Sequence, residues 1–420
     1  MLKIGICGLG NIGGEVFRLL TNKNFLKELP SSIKIIKVCD INKTIKKRLK
    51  IPNEIFTTDF RELILSKETD VIVELIGGKD TAFKLIKGAI KNKKHVVTAN
   101  KFLLAFKGEE LFKQASKNKV NIGFEASVCG GVPVIKILKS SLNSDEIQEL
   151  KGIINGTTNF ILSMMESESV EFEDALKIAQ KKGIAEKDPS LDITGKDSLH
   201  KLCILNFLCF GIWIHPKDIY CEGIQKISLL DIMYAKELGY SIKLLAISRI
   251  KKGNLFTYVA PSLIPLDHPL AKVSQDFNAL FFKTKLRGDL LFYGKGAGPL
   301  PTAGSVISDI LEIKDSENIF LRKKQNKKIK LGDVDSLQTR FYIRFIAEDI
   351  PGVLAKISSI LAKYKISIAS VTQKERNPTK YVPIIMLTHY ATPKAVFKAL
   401  KEIDKLKVIK PSSVCIRIED

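Results

Sequence analysis

The chain has 420 residues, 45% of them hydrophobic, with 67 Lys and Arg against 45 Asp and Glu, a formal net charge of +22. That length suits two to four domains of ordinary globular composition, and no apolar run reaches the ~18–20 residues a membrane helix needs. Its seven cysteines are scattered without a CxxC pair and its five histidines show no metal-ligand spacing, so neither a disulfide scaffold nor a zinc site is expected. Lysine is spread over the whole chain, as on solvated faces, so the positive charge does not by itself imply nucleic acid. The one dense run, RKKQNKKIK (322–330), reads as a solvated linker, with a polyanion contact as the alternative. The first residues, MLKIGICGLGNIGG, lack a signal peptide's basic and apolar regions, so the expected location is cytoplasmic.

In the first 130 residues short apolar runs alternate with helical patterns. LKIGICG (2–8), IKIIKVCD (33–40), DVIVELIGG (70–78), HVVTAN (95–100) and VNIGFEA (120–126) read as strands; Asn11 to Lys27, 81–92 and 108–118 read as helices. That alternation predicts βαβ units and a parallel sheet covered on both faces. From 131 to 312 the chain mixes helices with strands such as IQELKGIIN (147–155) and LFTYVAPSLI (255–264). It closes on a glycine- and proline-rich segment, 293–310, followed by an amphipathic helix. The polar stretch 313–338 reads as a linker. Residues 339–420 follow the order βαββαβ, the ferredoxin-like plan.

Three patterns carry chemistry. Gly8, Gly10 and Gly13 form GxGxxG between the first strand and first helix, where backbone N–H groups of Gly10, Asn11 and Ile12 would meet a diphosphate. The acid at the end of the second strand, Asp40, would accept from the adenosine ribose. Lys43, Lys46, Lys47 and Arg48 just beyond it permit a 2′-phosphate, so NAD and NADP both stay open. HVVTANK brings Thr98 and Lys101 to the C-terminal end of a parallel strand, the edge at which open α/β sheets bind ligands. Residues 183–201, GIAEKDPSLDITGKDSLHK, place Glu186, Asp188, Asp192 and Asp197 just before the apolar helical run 202–214. Asp197 and Lys201 are four apart and share a helix face. The stretch reads as a polar pocket for a charged small molecule, against the simpler reading of acids complementing a helix dipole.

GLGNIG, DVIVELIGG, HVVTANK, FEASVCGGVP (124–133), GIINGTTNFIL (152–162), AEKDP with LDITGKDSLHK, and GKGAGPLPTA (294–303) occur in the order seen in homoserine dehydrogenases. The resemblance spans roughly residues 1–312, and the tail IAEDIPGVLAKISSILAKYKISIASV (346–371) resembles an ACT domain. It implies an α/β chain: a Rossmann-type NAD(P)-binding domain (1–130), an α+β catalytic and dimerisation domain (131–312), a linker (313–338) and a ferredoxin-like ACT regulatory domain (339–420). The implied reaction is reversible NAD(P)-dependent reduction of L-aspartate 4-semialdehyde to L-homoserine, in threonine, methionine and isoleucine biosynthesis.

The same resemblance implies roles for residues. Lys201 and Lys101 would handle the proton, with Lys201 favoured as the acid/base and Lys101 anchoring substrate and nicotinamide. A nearby ammonium stabilises and protonates the alkoxide that develops as hydride arrives. Glu186, Asp192 and Asp197 would line the amino-acid site, with Asn155, Thr157, Thr158 and Asn159 supplying polar groups beside it. Asp188 reads as a turn residue and His200 as structural. Gly296 and Gly298 would close over the cofactor. Glu125, with the carbonyls of Val128, Gly130 and Val132, would coordinate sodium or potassium, as suits a hard cation; the alternative is a plain glycine turn. Some relatives carry Arg where this chain has Cys39, which leaves NADP preference open. Asp349, Pro351 and Gly352 form the ACT turn at which L-threonine would bind, the alternative being a domain used only for dimerisation. A homo-oligomer, dimer or tetramer, is expected, with neither nucleic-acid nor membrane partners. Removal of residues 339–420 is expected to leave basal catalysis and abolish any threonine response, unless the tail is needed for assembly. Two other functions remain: a non-catalytic amino-acid sensor on the same fold, and another semialdehyde dehydrogenase working through an acyl-cysteine at Cys129.

Overall fold

The computed structural model describes residues 1–314, 329–374 and 381–419, and its contacts divide the chain into two compact units. Among the described residues the first takes 1–147, 199–218 and the stretch from 283; the second takes 148–198, 219–282 and the stretch from 329.

The first unit is built on β1 (Leu2–Cys7), β2 (Ile33–Cys39), β3 (Phe56–Thr57), β4 (Val71–Glu74), β5 (His95–Thr98) and β6 (Ile122–Gly123). They form one parallel sheet in the order β3-β2-β1-β4-β5-β6. Every residue of β4 is buried, as expected of a strand covered on both faces. The order reverses beside β1, and a doubly wound sheet binds its ligands at that switch point. The helix Pro299–Glu312 packs here as well: Val306, Ile307 and Ile310 join Val16, Phe17 and Val73 in one core cluster.

Several elements differ from the sequence reading for local reasons. The expected helix from Asn11 to Lys27 is two, Asn11–Thr21 and Lys23–Glu28. The Asn22 side chain accepts from Asn24 N–H at 2.9 Å and Phe25 N–H at 3.3 Å, which ends one helix and starts the next. The helix expected at 108–118 spans Lys101–Lys117, because Asn100 caps it through Leu103 N–H at 2.9 Å. The run 202–214 belongs to a helix that opens earlier, Lys196–Phe210, and stops at Gly211 with φ +71. The helix expected after 310 already starts at Pro299. Two-residue β3 carries no alternation and was not expected.

The next strands are β7 (Ile147–Ile153), β8 (Tyr220–Cys221), β9 (Tyr240–Lys251), β10 (Asn254–Pro265) and β11 (Phe277–Thr284); β12 (Gly288–Lys295) falls in the first unit. After them come β13 (Lys330–Leu331), β14 (Arg340–Glu348), β15 (Ile368–Thr372), β16 (Tyr381–Thr388) and β17 (Ile409–Ile418). In the second unit the sheet runs β11-β7-β9-β10-β17-β14-β16-β15. Its last four strands, with the helices Val353–Lys363 and Pro393–Ile403, are the expected βαββαβ unit. That unit is continuous with the rest of the sheet, since β17 pairs with β10 at Ser262↔Arg417 and Leu263↔Ile418. The end of the expected linker is also built in, as β13 pairs with β10. The basic run 322–330 lies outside the described residues except for its last two.

Buried charge pairs reinforce this junction. Asp231, fully buried, accepts from Arg344 Nε at 2.7 Å, Arg344 Nη2 at 2.9 Å and the Tyr342 hydroxyl at 3.1 Å. Glu419, also buried, meets Arg249 and the Tyr258 hydroxyl. No helix among the described residues is long and apolar enough to cross a membrane.

Candidate active site

The glycine loop after β1 is shaped by three different constraints. Gly8 has φ +93, and a Cβ there would lie 2.5 Å from the Leu75 carbonyl carbon. A Cβ at Gly13 would overlap the Gly8 carbonyl oxygen, so only glycine lets the helix sit this close to β1. At Gly10 a Cβ would meet nothing within 4 Å: the backbone there is bare and open. The helix Asn11–Thr21 starts at Gly10 without a side-chain cap. Its first N–H groups have no intrahelical acceptor, and together with the dipole they suit a diphosphate. Asn11 is exposed and Ile12 half-buried at this start.

Asp40 ends β2 as a bracket. One carboxylate oxygen accepts from Leu9 N–H at 2.7 Å and the other from Asn42 N–H at 2.8 Å, so it fixes the glycine loop besides lying where a ribose would come. Among the four basic residues beyond it, Arg48 reaches the loop, its Nη2 donating to the Leu9 carbonyl at 3.4 Å. Lys46 instead meets Asn53 and lies 5.6 Å from the Phe56 ring centre. The residues present therefore fit a dinucleotide.

At the C-terminal ends of β4 and β5 stands a carboxylate that the sequence reading passed over. Glu74 is fully buried, accepts from the Thr98 hydroxyl at 2.6 Å, and accepts from Ile76 and Gly77 N–H at 3.0 and 3.1 Å. Burial pushes its carboxyl above the ordinary range despite those donors. The Thr98 hydroxyl also accepts from Asn100 N–H at 3.0 Å, so its side chain is committed to shaping the turn. The turn delivers Lys101 as the first residue of its helix, half-buried. An acid closing an otherwise apolar strand, as in DVIVELIGG, was the available signal.

Lys201 lies in the helix Lys196–Phe210 and is 8% exposed. Its neighbour His200 packs edge-on against Phe102 at 5.1 Å and Phe106 at 5.5 Å, ring centre to ring centre. These contacts, all in the first unit, join the opening turn that carries Lys101 to the turn that carries Lys201.

In the second unit Asn155 organises the acids. Its Nδ2 donates to Asp192 Oδ1 at 2.7 Å and to Asp197 Oδ2 at 2.9 Å. Its Oδ1 accepts from Thr158 N–H at 2.8 Å, capping the helix Gly156–Glu168. The Thr158 hydroxyl donates to the same Asn155 oxygen at 2.9 Å. Two carboxylates 5 residues apart in sequence are thus bridged by one amide. Thr157 donates to the Ile184 carbonyl at 3.0 Å, tying down the loop that precedes the acids. Asn159 donates to the Gln275 and Phe277 carbonyls at 2.9 and 3.2 Å. Glu186 is exposed, and its backbone carbonyl accepts from the Gln180 amide at 3.2 Å. Asp188 accepts from Ser190 N–H at 3.1 Å in the expected turn.

The segment FEASVCGGVP is held by hydrogen bonds on every side. The Glu125 carboxylate accepts from Ile135 N–H at 2.9 Å and Lys136 N–H at 2.7 Å, while Asp309 accepts from Glu125 N–H at 2.8 Å. Burial pushes both carboxyls up, each to about 7. The Gly130 carbonyl accepts from the Ser305 hydroxyl and that of Val132 from Val134 N–H, while Val128 N–H donates to the Glu125 carbonyl at 3.4 Å. A Cβ at Gly130 would lie 2.8 Å from the Gly296 carbonyl, so this loop rests on the GKGAGP loop. Gly298, with φ +117, opens the helix Pro299–Glu312. Two buried carboxylates thus lie together beside carbonyl-rich loops.

In the ACT unit a cavity of about 270 Å³ is lined by residues 348–354, Gln373 and Ile384. It holds Asp349, Pro351 and Gly352, with Gly352 at φ +89 and Gln373 donating to Asp349 at 3.3 Å.

Comparison with known proteins places these features in a family. The homoserine dehydrogenase profile matches residues 133–311, and the homoserine dehydrogenase NAD-binding domain profile matches residues 8–125. The chain belongs to the homoserine dehydrogenase family. An ACT domain profile matches residues 341–405. The homoserine dehydrogenase of Neisseria gonorrhoeae is 38% identical, across 100% of this chain and 98% of its own length. That of Helicobacter pylori is 40% identical, across 100% and 99%. A solved homoserine dehydrogenase from Thiobacillus denitrificans superimposes with a TM-score of 0.92 at 38% identity, covering 100% of this chain and 98% of that one. A hyperthermophilic archaeal homoserine dehydrogenase solved with NADPH superimposes with a TM-score of 0.63 at 26% identity, over 74% of this chain and 97% of that one. The chain is accordingly an NAD(P)-binding oxidoreductase of amino-acid biosynthesis.

Proposed function

We propose that this enzyme interconverts L-aspartate 4-semialdehyde and L-homoserine, and that Asp192 and Asp197, aligned by the Asn155 amide, bind the substrate ammonium. That bridge is the observation that carries the reading. It holds Asp192, from the short helix Ser190–Ile193, against Asp197, which lies one turn before Lys201 on the helix Lys196–Phe210. Bound NAD(P) supplies the hydride or accepts it. Lys201 donates a proton to the substrate oxygen as charge develops there, and takes the proton back in the reverse direction. Lys101 anchors the substrate at the edge of the sheet. Glu186 on its exposed loop adds negative charge at the entrance, and Thr157 keeps that loop against the helix Gly156–Glu168. Arg48, reaching the glycine loop from the helix Thr44–Arg48, supports acceptance of a 2′-phosphate, with Asp40 toward the ribose. Glu125 and the loop carbonyls of Val128, Gly130 and Val132 hold sodium or potassium, and Asp349, Pro351 and Gly352 receive L-threonine as a feedback effector. The enzyme works as a cytoplasmic homo-oligomer.

The experiment is Lys201→Ala assayed with semialdehyde and both reduced cofactors. A fall in kcat of ~10²-fold or more is expected for loss of the proton donor; near-normal turnover removes Lys201 from that role. The same assay with and without L-threonine, and with sodium or potassium exchanged for a bulky organic cation, reads the effector and the ion.

A further inference from the structure

Two buried carboxylates of the second unit, Asp231 and Glu419, each pair with an arginine, the usual condition for burying a charge. Glu74 in the first unit is different. Its four donors are all neutral: the Thr98 hydroxyl, Ile76 N–H, Gly77 N–H and the Asn100 side chain. Its neighbours in register, Thr98 on β5 and Cys7 on β1, bring no positive charge either. Burial raises its carboxyl, the mark of a negative charge that the chain itself leaves uncompensated.

The turn bonded to this carboxylate is thin. Glu74 has no exposure, yet Ile76, Gly77 and Gly78 just after it are exposed. Gly77 and Gly78 have φ +69 and +70, and a Cβ at either would meet nothing within 4 Å, so the turn presents bare backbone. Asn100 Nδ2 donates to the Gly78 carbonyl at 2.8 Å and fastens the turn to the one that bears Lys101. The carboxylate therefore lies one backbone layer below the surface at the C-terminal ends of β4 and β5.

A dinucleotide lying across the switch point reaches this edge. With its adenosine ribose toward Asp40 at the end of β2 and its diphosphate at the open Gly10 turn after β1, its other half falls beyond β1, over β4 and β5. That half carries the nicotinamide ring, which is positive in NAD(P)+ and neutral in NAD(P)H. A buried negative charge beside it therefore distinguishes the two oxidation states, and low dielectric strengthens the difference.

We propose that Glu74 sets this enzyme's preference between the two oxidation states of its cofactor, its buried carboxylate strengthening the binding of NAD(P)+ over NAD(P)H. It acts through charge from beneath the Ile76–Gly78 turn and is a specificity-determining residue, not a catalytic one. Titration calorimetry of the full chain with NADP+, NADPH, NAD+ and NADH reads the preference as a ratio of dissociation constants. Glu74→Gln keeps an acceptor for the Ile76 and Gly77 N–H groups but removes the charge. It weakens the oxidised form about tenfold relative to the reduced form. Glu74→Leu, apolar like the rest of β4, gives the same change and takes the place of Gln should that variant not fold. Thr98→Val removes one donor but keeps the charge, so both oxidation states shift together and the ratio holds. A purely structural Glu74 would weaken both forms alike. A ratio within about twofold of wild type in the charge-free variants overturns the proposal, and so does a Thr98→Val ratio that moves as far as theirs. The titrations contain no semialdehyde, so their outcome is independent of the proposed reaction and of the part assigned to Lys201.

Discussion

Asn155→Asp probes the acidic site with little change of shape. The wild-type amide makes two hydrogen bonds to carboxylates, at 2.7 and 2.9 Å, each of a kind worth about 1.5–3 kcal/mol. The substitution keeps a good helix cap but turns both contacts into carboxylate against carboxylate. At about 3 Å, with an effective dielectric of about 20, each repulsion has an upper bound of roughly 5 kcal/mol. The cluster relieves most of that by taking up one proton that the unfolded chain does not hold at neutral pH. The remaining cost is then about 1.4 kcal/mol for every pH unit above the ordinary carboxylate value of about 4, levelling off once the cluster itself gives up that proton. Because the folded variant binds the extra proton, its stability rises as pH falls. Urea unfolding should therefore show a deficit of about 3–5 kcal/mol near pH 8 that shrinks toward pH 5. KM for the semialdehyde should rise by about tenfold or more near pH 8 and recover in parallel. Asn155→Ala loses the same bonds and the cap without adding charge, so its deficit should track the wild type's own pH dependence. A variant Asn155→Asp with wild-type KM and an unaltered pH profile would refute the bridging role.

Two further substitutions test the cofactor end. Gly13→Ala should destabilise the first unit by about 3 kcal/mol or more, because its Cβ overlaps a backbone carbonyl and the helix must move away from β1. Gly10→Ala, pointing into open space, should leave the melting temperature unchanged and weaken NAD(P)H binding in a fluorescence titration; equal behaviour of the two would contradict the assigned division of labour. Glu74→Gln tests a raised carboxyl. Its protonated form is favoured by the fold, so wild-type stability is full below the ordinary value of 4.5 and falls as pH rises through the folded value. Gln removes that slope, and parallel melting curves against pH for both proteins would show that Glu74 does not titrate as stated.

Much of this was legible in the sequence because parallel strands buried on both faces read as unbroken apolar runs. GLGNIG and HVVTANK sit where those runs end, so the switch point could be located from the chain alone. The βαββαβ tail was readable for a similar reason: its helices bury one face each, as in Val353, Ile357 and Leu361. Partnerships between distant segments were not. The amphipathic pattern of Pro299–Glu312 shows that one face is buried, not that it joins the core under β1. The Asn155 bridge was invisible because its amide answers acids 37 and 42 residues away. Glu74 hid as the end of a strand, where a single acid looks like an ordinary boundary. Lys101 was placed at the right edge, but its helix was started too late because the Asn100 cap went unread.

The ACT domain tests this most sharply, since its sequence looks like a detachable tail. Asp231, on the helix Leu229–Glu237, has no exposure, and Arg344 of β14 supplies two of its hydrogen bonds. Removing one partner of such a pair typically costs about 3–5 kcal/mol, because the other charge stays buried. Deleting residues 339–420 removes Arg344 and Tyr342 together, strips Glu419 from Arg249, and peels β17 from β10 at Ser262 and Leu263. Losses of that size rival the whole stability of a domain. The 1–338 chain is therefore expected to aggregate or to lose the cooperative unfolding of its second unit, and basal activity with it. Arg344→Ala alone should lower Tm markedly. Asp231→Asn combined with Arg344→Met should recover part of that loss, because no charge then remains buried without its partner. A soluble 1–338 chain with undiminished kcat and an unchanged melting transition would mean that the catalytic half of the sheet stands without β17, and that the buried pair merely docks a separable module.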